Sequence, residues 1–177
     1  MPPAVFGSIA QQRDFPVELT SEEALLGYLD VSAVELKKIW WFRHRMYHIF
    51  NLGKPSGKPR VISAPNARLK YLQRRIAPLL ERLYRVRKPV HGFVAGKSVK
   101  TNAEAHLRKR HIVNLDLKDF FASITEARIA GVLRSLGVDS RVSAIIARLS
   151  TNHGQLPQGA PTSPILSNMI CFGLDRV

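Results

Sequence analysis

Asn114-Leu-Asp-Leu-Lys-Asp-Phe-Phe-Ala-Ser-Ile124 overlaps a short apolar run, His111-Ile-Val-Asn-Leu115, whose β-branched composition is that of a strand buried on at least one face. Aspartate has poor strand propensity, so Asp116 at the end of this run costs stability unless its carboxylate has a partner. A divalent metal is one such partner. Lys118 is another, because side chains two apart on a strand share a face. On this stretch alone, metal ligand and plain turn or ion-pair aspartate stand as equal alternatives.

A second stretch, Leu156-Pro-Gln-Gly-Ala-Pro-Thr-Ser-Pro164, carries three prolines and one glycine. Its path is therefore rigid, and Gly159 is expected to let the backbone approach a ligand closely. Ser163 is the expected N-cap of a following helix, with Pro164 at its first position and Ile165, Leu166, Met169 and Ile170 at helical spacing. A rigid loop feeding a helix N-terminus suits a phosphorylated ligand; a Pro-rich connector is the plainer alternative.

Together these stretches carry a resemblance. Asn114 to Ile124 resembles the first carboxylate motif of reverse transcriptases, and Leu156 to Asn168 resembles their Leu-Pro-Gln-Gly template and nucleotide motif. Asn102-Ala-Glu-Ala-His106 and His91-Gly-Phe93 resemble motifs of the bacterial retron-type enzymes, and the first of them favours these over group II intron proteins. The resemblance runs from about Tyr47 to the last residue. The second carboxylate motif of the family, Tyr-x-Asp-Asp, does not occur in the sequence.

The fold this implies is α+β: the fingers and a partial palm of a right-hand polymerase, an antiparallel palm sheet with flanking helices. Residues 1–46 would form an N-terminal helical extension, residues 47–110 the fingers hairpin and basic helices, and residues 111–177 the partial palm with a helical insertion at 125–155. The family acts through two Mg²⁺ ions roughly 3.5–4 Å apart. By resemblance Asp116 is the catalytic carboxylate that bridges them, and the Leu117 carbonyl is a backbone ligand. Arg60 would contact the triphosphate of a deoxynucleotide, with Lys54 and Lys58 as looser matches. Asp119 and Phe120 would lie along the triphosphate through their amides, Phe121 would exclude a ribose 2′-hydroxyl, and Gln158 would line the pocket. A core pair is the plainer reading of Phe120 and Phe121.

Because Mg²⁺ prefers octahedral oxygen coordination, a single carboxylate holds it weakly. The chain alone is therefore expected to be inactive, either as the front portion of a polymerase whose second carboxylates lie on a further segment or second polypeptide, or as a fragment that binds without catalysing. The implied partners are structured non-coding RNA, an RNA/DNA hybrid and deoxynucleoside triphosphates. A phage-defence effector protein is implied by the retron likeness only. A non-catalytic RNA-binding scaffold derived from the fold is the second class of function.

Composition narrows the setting independently. The 177 residues are 45% hydrophobic, enough for an ordinary globular core. No run approaches the roughly 18 apolar residues of a spanning helix, and Arg13 and Asp14 interrupt the start of the chain before a signal-peptide core can form. A single cysteine, Cys171, excludes an internal disulfide, so a reducing cytoplasm is the simplest expected location. Between Lys37 and Lys118 stand 21 Lys or Arg against Glu81, Glu104 and Asp116, a balance of +18, while the remainder has 6 against 10, or −4. Such a block attracts polyanions by phosphate contact and counterion release; an acidic protein is the alternative partner.

Along the chain, residues 1–19 show no periodicity and read as an arm or an extended lead-in. Thr20-Ser-Glu-Glu23 and Ser32-Ala-Val-Glu35 read as capping boxes of two short helices, and Trp40, Trp41 and Phe42 cannot all face one core. Tyr47 to Phe50 and Arg60 to Ser63 read as a hairpin. Asn66 can cap a long helix reaching about Arg87, kinked or divided at Pro78. Its polar face carries Arg68, Lys70, Arg74, Arg75, Arg82, Arg85 and Arg87, cations that repel one another unless phosphates neutralise them. Reversing Arg74 and Arg75 to Glu is expected to weaken RNA binding without unfolding. Asn102 to Arg110 reads as a short helix that would present Asn102 and His106 to RNA, with a structural role the alternative for His106. Thr125 and Ser140 open two further helices, and the Ile112 to Asp116 strand is expected centrally in the palm sheet, with Val113 and Leu115 left exposed.

Overall fold

Caps set where the chain enters its first helices in the computed structural model, which describes residues 15–53 and 59–175. Ser21 accepts from the Ala24 amide at 3.1 Å and opens α1 (Glu22–Leu29); Ser32 accepts from the Glu35 amide at 3.1 Å and opens α2 (Ala33–Phe42). The first cap thus falls one residue after the expected Thr20. Thr20 instead donates its hydroxyl to the Val17 carbonyl, closing a 3₁₀ turn, Val17–Leu19, that buries Leu19 completely. Leu19 therefore belongs to the core and Phe15 packs against it, while Val17 stays exposed; the rest of the expected arm lies outside the described residues. Trp40 packs against the core while Trp41 and Phe42 stay exposed.

The hairpin forms. Strands β1 (Tyr47–Leu52) and β2 (Arg60–Pro65) pair antiparallel, from Tyr47 opposite Pro65 to Leu52 opposite Arg60; Lys54 and Lys58 at its tip lie outside the described residues. Asn66 then caps α3 (Ala67–Leu83), which buries Leu69, Leu72, Ile76, Leu79 and Leu80. Pro78 sits inside this helix without dividing it, and the helix ends before the expected Arg87. Gln73, buried on α3, donates to the Tyr47 hydroxyl at 3.0 Å and to the Leu149 carbonyl at 2.8 Å, anchoring the base of the hairpin. Burial pushes the Tyr47 phenol up to about 12.

Helix α4 (Val99–Ala105) starts earlier than expected because Ser98 and Thr101 form a reciprocal capping box that satisfies its first amides. Asn102 is thus inside the helix and His106 follows it. After α5 (Phe120–Ser123), Thr125 caps α6 (Glu126–Ser135), Asp139 caps α7 (Ser140–Leu149) and Thr162 precedes α8 (Ser163–Cys171). Ser163 is the first residue of α8 rather than its cap; its hydroxyl donates to the Pro157 carbonyl at 2.6 Å. One apolar cluster joins Leu25, Leu72, Leu133, Ile145 and Leu166, so α1, α3, α6, α7 and α8 share a core.

The helices with their antiparallel hairpin are an α+β arrangement, but the strand expected over Ile112 to Asp116 does not form. Residues 111–117 carry no regular structure, with Val113 80% and Leu115 85% exposed. A strand persists when a neighbour takes its amides and carbonyls. Among the described residues the only sheet is the hairpin, so this run has no strand to pair with.

Candidate active-site cleft

Parts of the chain far apart in sequence line one cleft of about 1310 Å³. Strand β2 contributes Arg60, α3 contributes Lys70 and Arg74, and the 116–121 segment contributes Asp116, Leu117, Asp119, Phe120 and Phe121. The Leu-Pro-Gln-Gly loop contributes Gln158 and its neighbours.

Backbone pairing brings the two sequence motifs together. The Leu156 amide donates to the Ile124 carbonyl at 3.0 Å, and Thr125 and Gln155 form an antiparallel bridge. The hairpin is fastened to the same loop: the Ser63 amide donates to the Gln158 carbonyl at 2.7 Å, and the Asn152 side-chain amide donates to the Ser63 hydroxyl at 3.1 Å. At Gly159, φ is +115° and a Cβ would lie 2.9 Å from Ile62 Cγ2 and 3.3 Å from the Ser63 carbonyl oxygen. Gly159 thus lets the loop backbone approach β2 closely. Beneath this loop Glu126 accepts from Thr151 at 3.0 Å and pairs with Arg43 and Arg148, each at 3.3 Å.

Asp119 takes the left-handed conformation, φ +49°, and turns the chain into α5. Phe120 and Phe121 follow, half-buried, their rings 5.3 Å apart at 64°. Both pack on the core, as the core-pair reading expects, and both line the cleft. Asp116 is exposed on the cleft wall, and among the described residues it makes no ion pair with Lys118.

The oxygen donors offered by Asp116 and Leu117 fit Mg²⁺ in kind but not in number. Among the described residues no three His, Cys, Asp or Glu side chains gather where they could hold a metal.

The basic face divides into two groups. Arg68 donates to Glu35 at 2.7 and 3.0 Å and to the Asp30 carbonyl at 3.2 Å, and its hydrogen bond holds the Glu35 carboxyl below its usual range. Arg75 donates to the Tyr28 carbonyl and lies 4.5 Å from the centroid of the Tyr28 ring. Arg82 approaches Glu18 at 3.8 Å, and Arg87 lies 3.9 Å from the centroid of Phe172. The repulsion expected along this face is therefore relieved in part by the protein itself. Lys70 and Arg74 line the cleft, while Arg85, Asn102 and His106 are exposed away from its lining.

Sequence reasoning missed Ser63 and Asn152, which lock hairpin to loop across 89 positions; no local pattern signals such a pair. It quoted Phe93 only within a tripeptide, although the ring lines the cleft and meets Phe121.

Residues 52–176 match the family described as Reverse transcriptase (RNA-dependent DNA polymerase). The chain is 42% identical over 152 residues to the retron Mx65 reverse transcriptase of Myxococcus xanthus, covering 76% of this chain and 36% of that protein. It is 38% identical over 184 residues to the retron Mx162 reverse transcriptase of the same organism, covering 90% and 37%. With the retron Ec86 reverse transcriptase of Escherichia coli, identity is 37% over 135 residues, covering 76% and 42%. The chain therefore spans about two fifths of the length of these relatives. The family match spans both of the motifs that meet in the cleft, and on that match the chain belongs to the reverse transcriptase family.

Proposed function

We propose that this chain supplies the nucleotide-binding part of a retron-type RNA-directed DNA polymerase that works on structured RNA inside the cell. The observation that carries the reading is the meeting of Arg60, Asp116, Phe121 and Gln158 on one cleft, since templated synthesis needs a cation, a metal-binding carboxylate and a sugar-sensing wall within reach of one nucleotide. The Arg60 guanidinium neutralises charge on the triphosphate through charge-assisted hydrogen bonds. Asp119 and Phe120 offer backbone amides beside it, and Gln158 lines the base side. Phe121 occupies the space that a 2′-hydroxyl would need. Lys70 and Arg74 extend the positive wall toward a nucleic-acid backbone. Asp116 and the Leu117 carbonyl are the donors for Mg²⁺, which when bound supplies charge neutralisation and an activated 3′-hydroxyl. Further carboxylates, beyond those the described residues bring to the cleft, are needed to complete the set. A role in phage defence with an effector protein is the extension that the retron likeness supports.

The test is Asp116→Asn, which keeps the shape and removes the charge. In the enzyme completed by a segment carrying an Asp-Asp pair, it should abolish primer extension and leave RNA affinity within about twofold. The 177-residue chain by itself should extend no primer with any divalent metal. Persistent extension by the Asp116→Asn enzyme would sink the mechanism. RNA binding that never yields extension, with or without that segment, would favour a scaffold.

A further inference from the structure

The loop between α3 and α4 is fastened from three sides around one aromatic residue. Lys97 donates its ammonium to the carbonyls of Val90 at 2.6 Å and Lys88 at 2.7 Å. His91 Nδ1 and the Thr101 hydroxyl of α4 are hydrogen-bonded at 2.9 Å, and Asn168 of α8 donates to the Gly92 carbonyl at 3.0 Å. Between these fasteners Phe93 is held at φ +56°, a left-handed conformation that is costly for a bulky side chain. Burial does not explain why a phenyl ring stands there, because it is 66% exposed. What it does touch is Phe121: the two rings are 6.5 Å apart at 73°, an edge-to-face pair.

Phe121 is thereby held between two rings, Phe120 from its own helix and Phe93 from a distant loop, and all three line the cleft. A wall that distinguishes two sugars differing by one hydroxyl works sterically, so its selectivity depends on the ring not moving aside. We propose that Phe93 is a specificity-determining residue: it positions Phe121 so that the cleft prefers deoxyribonucleotides to ribonucleotides. This rests on the reading of the cleft as a nucleotide site. The strained backbone at residue 93 is the cost of bringing the supporting ring into the cleft, and the bonds from Lys97, Thr101 and Asn168 keep it there.

The experiment compares incorporation of deoxyribonucleotides and ribonucleotides, as kcat/KM, by the enzyme completed with a segment carrying an Asp-Asp pair and by its variants. Phe93→Ala should lower the preference about two- to tenfold, the range that an aromatic pair is worth. The change should appear mainly as a lower KM for ribonucleotides, with kcat on deoxyribonucleotides retained. Phe93→Tyr should restore the preference. Phe93→Gly relaxes the left-handed backbone, so it should keep or raise thermal stability while losing selectivity, which separates selection from folding. Added to Phe121→Ala, Phe93→Ala should change the ratio no further, because the ring it supports is gone. An unchanged ratio in Phe93→Ala, alongside relaxed selection in Phe121→Ala, overturns the inference alone. An unchanged ratio in Phe121→Ala overturns the cleft reading and the inference with it.

Discussion

Gly159 and the pair Arg74 and Arg75 show how far neighbours in space redefine single residues. At Gly159 a methyl group would meet Ile62 and the Ser63 carbonyl in a backbone region unfavourable to L side chains. Gly159→Ala should therefore lower stability by about 1–3 kcal/mol, read as a lower urea midpoint with an unchanged slope. Arg74 lines the cleft and is exposed, whereas Arg75 bonds the Tyr28 carbonyl and stacks on its ring. Their reversals should therefore separate, against the expectation that both leave the fold intact. Arg74→Glu should weaken RNA binding, flatten its log-log salt slope by about 1 and leave Tm unchanged. Arg75→Glu should lower Tm by several degrees, as scanning calorimetry would show. Glu35 adds a pH dependence. Its folded pKa lies below its ordinary 4.5, so its contribution is present above that value and lost as the pH falls through the folded one. Because the Arg68–Glu35 pair is more than a third exposed, solvent screening keeps the effect under about 1 kcal/mol. Glu35→Gln should remove that part of the acid dependence in urea titrations at pH 5 and pH 3.

At the scale of elements, the hairpin matters through its attachments. Its base is held by Gln73 to Tyr47 and to Leu149 of α7, and its middle is held by Ser63 to Gln158 and Asn152. Gln73→Ala leaves the buried Leu149 carbonyl without that donor and should cost about 1–3 kcal/mol. Tyr47→Phe keeps the Leu149 bond and should cost less. Thermal denaturation of the two variants separates the contributions. The contrasting element is the 111–117 run, whose apolar, β-branched residues suit a strand but have no paired neighbour.

For the whole molecule, that unpaired apolar run lies within the basic block of +18. Ile112, Val113 and Leu115 are 62%, 80% and 85% exposed in sequence proximity to one another, an apolar patch that water disfavours. The isolated chain should associate with rising concentration, and multi-angle light scattering over a tenfold dilution checks this; a strictly monodisperse monomer would count against it. The association should persist in high salt, since apolar burial is not screened, while RNA binding falls steeply with salt.

Much of the cleft's lining is legible in the sequence, because its motifs are contiguous. Asn114 to Ile124 and Leu156 to Asn168 name the carboxylate, the aromatic wall and the loop, and the caps at Ser32, Asn66 and Thr125 act within three residues of themselves. Local hydrogen bonding and periodicity decide such features, so the chain order alone carries them. Arg68 meets Glu35 across 33 positions, Arg75 meets Tyr28 across 47, and Asn152 meets Ser63 across 89. No local rule ranks one arginine as a fold contact and its neighbour as a cleft cation, or names the ring that Phe93 supports. Packing makes those assignments, because charge pairing, stacking and close backbone approach depend on which surfaces are brought together in space.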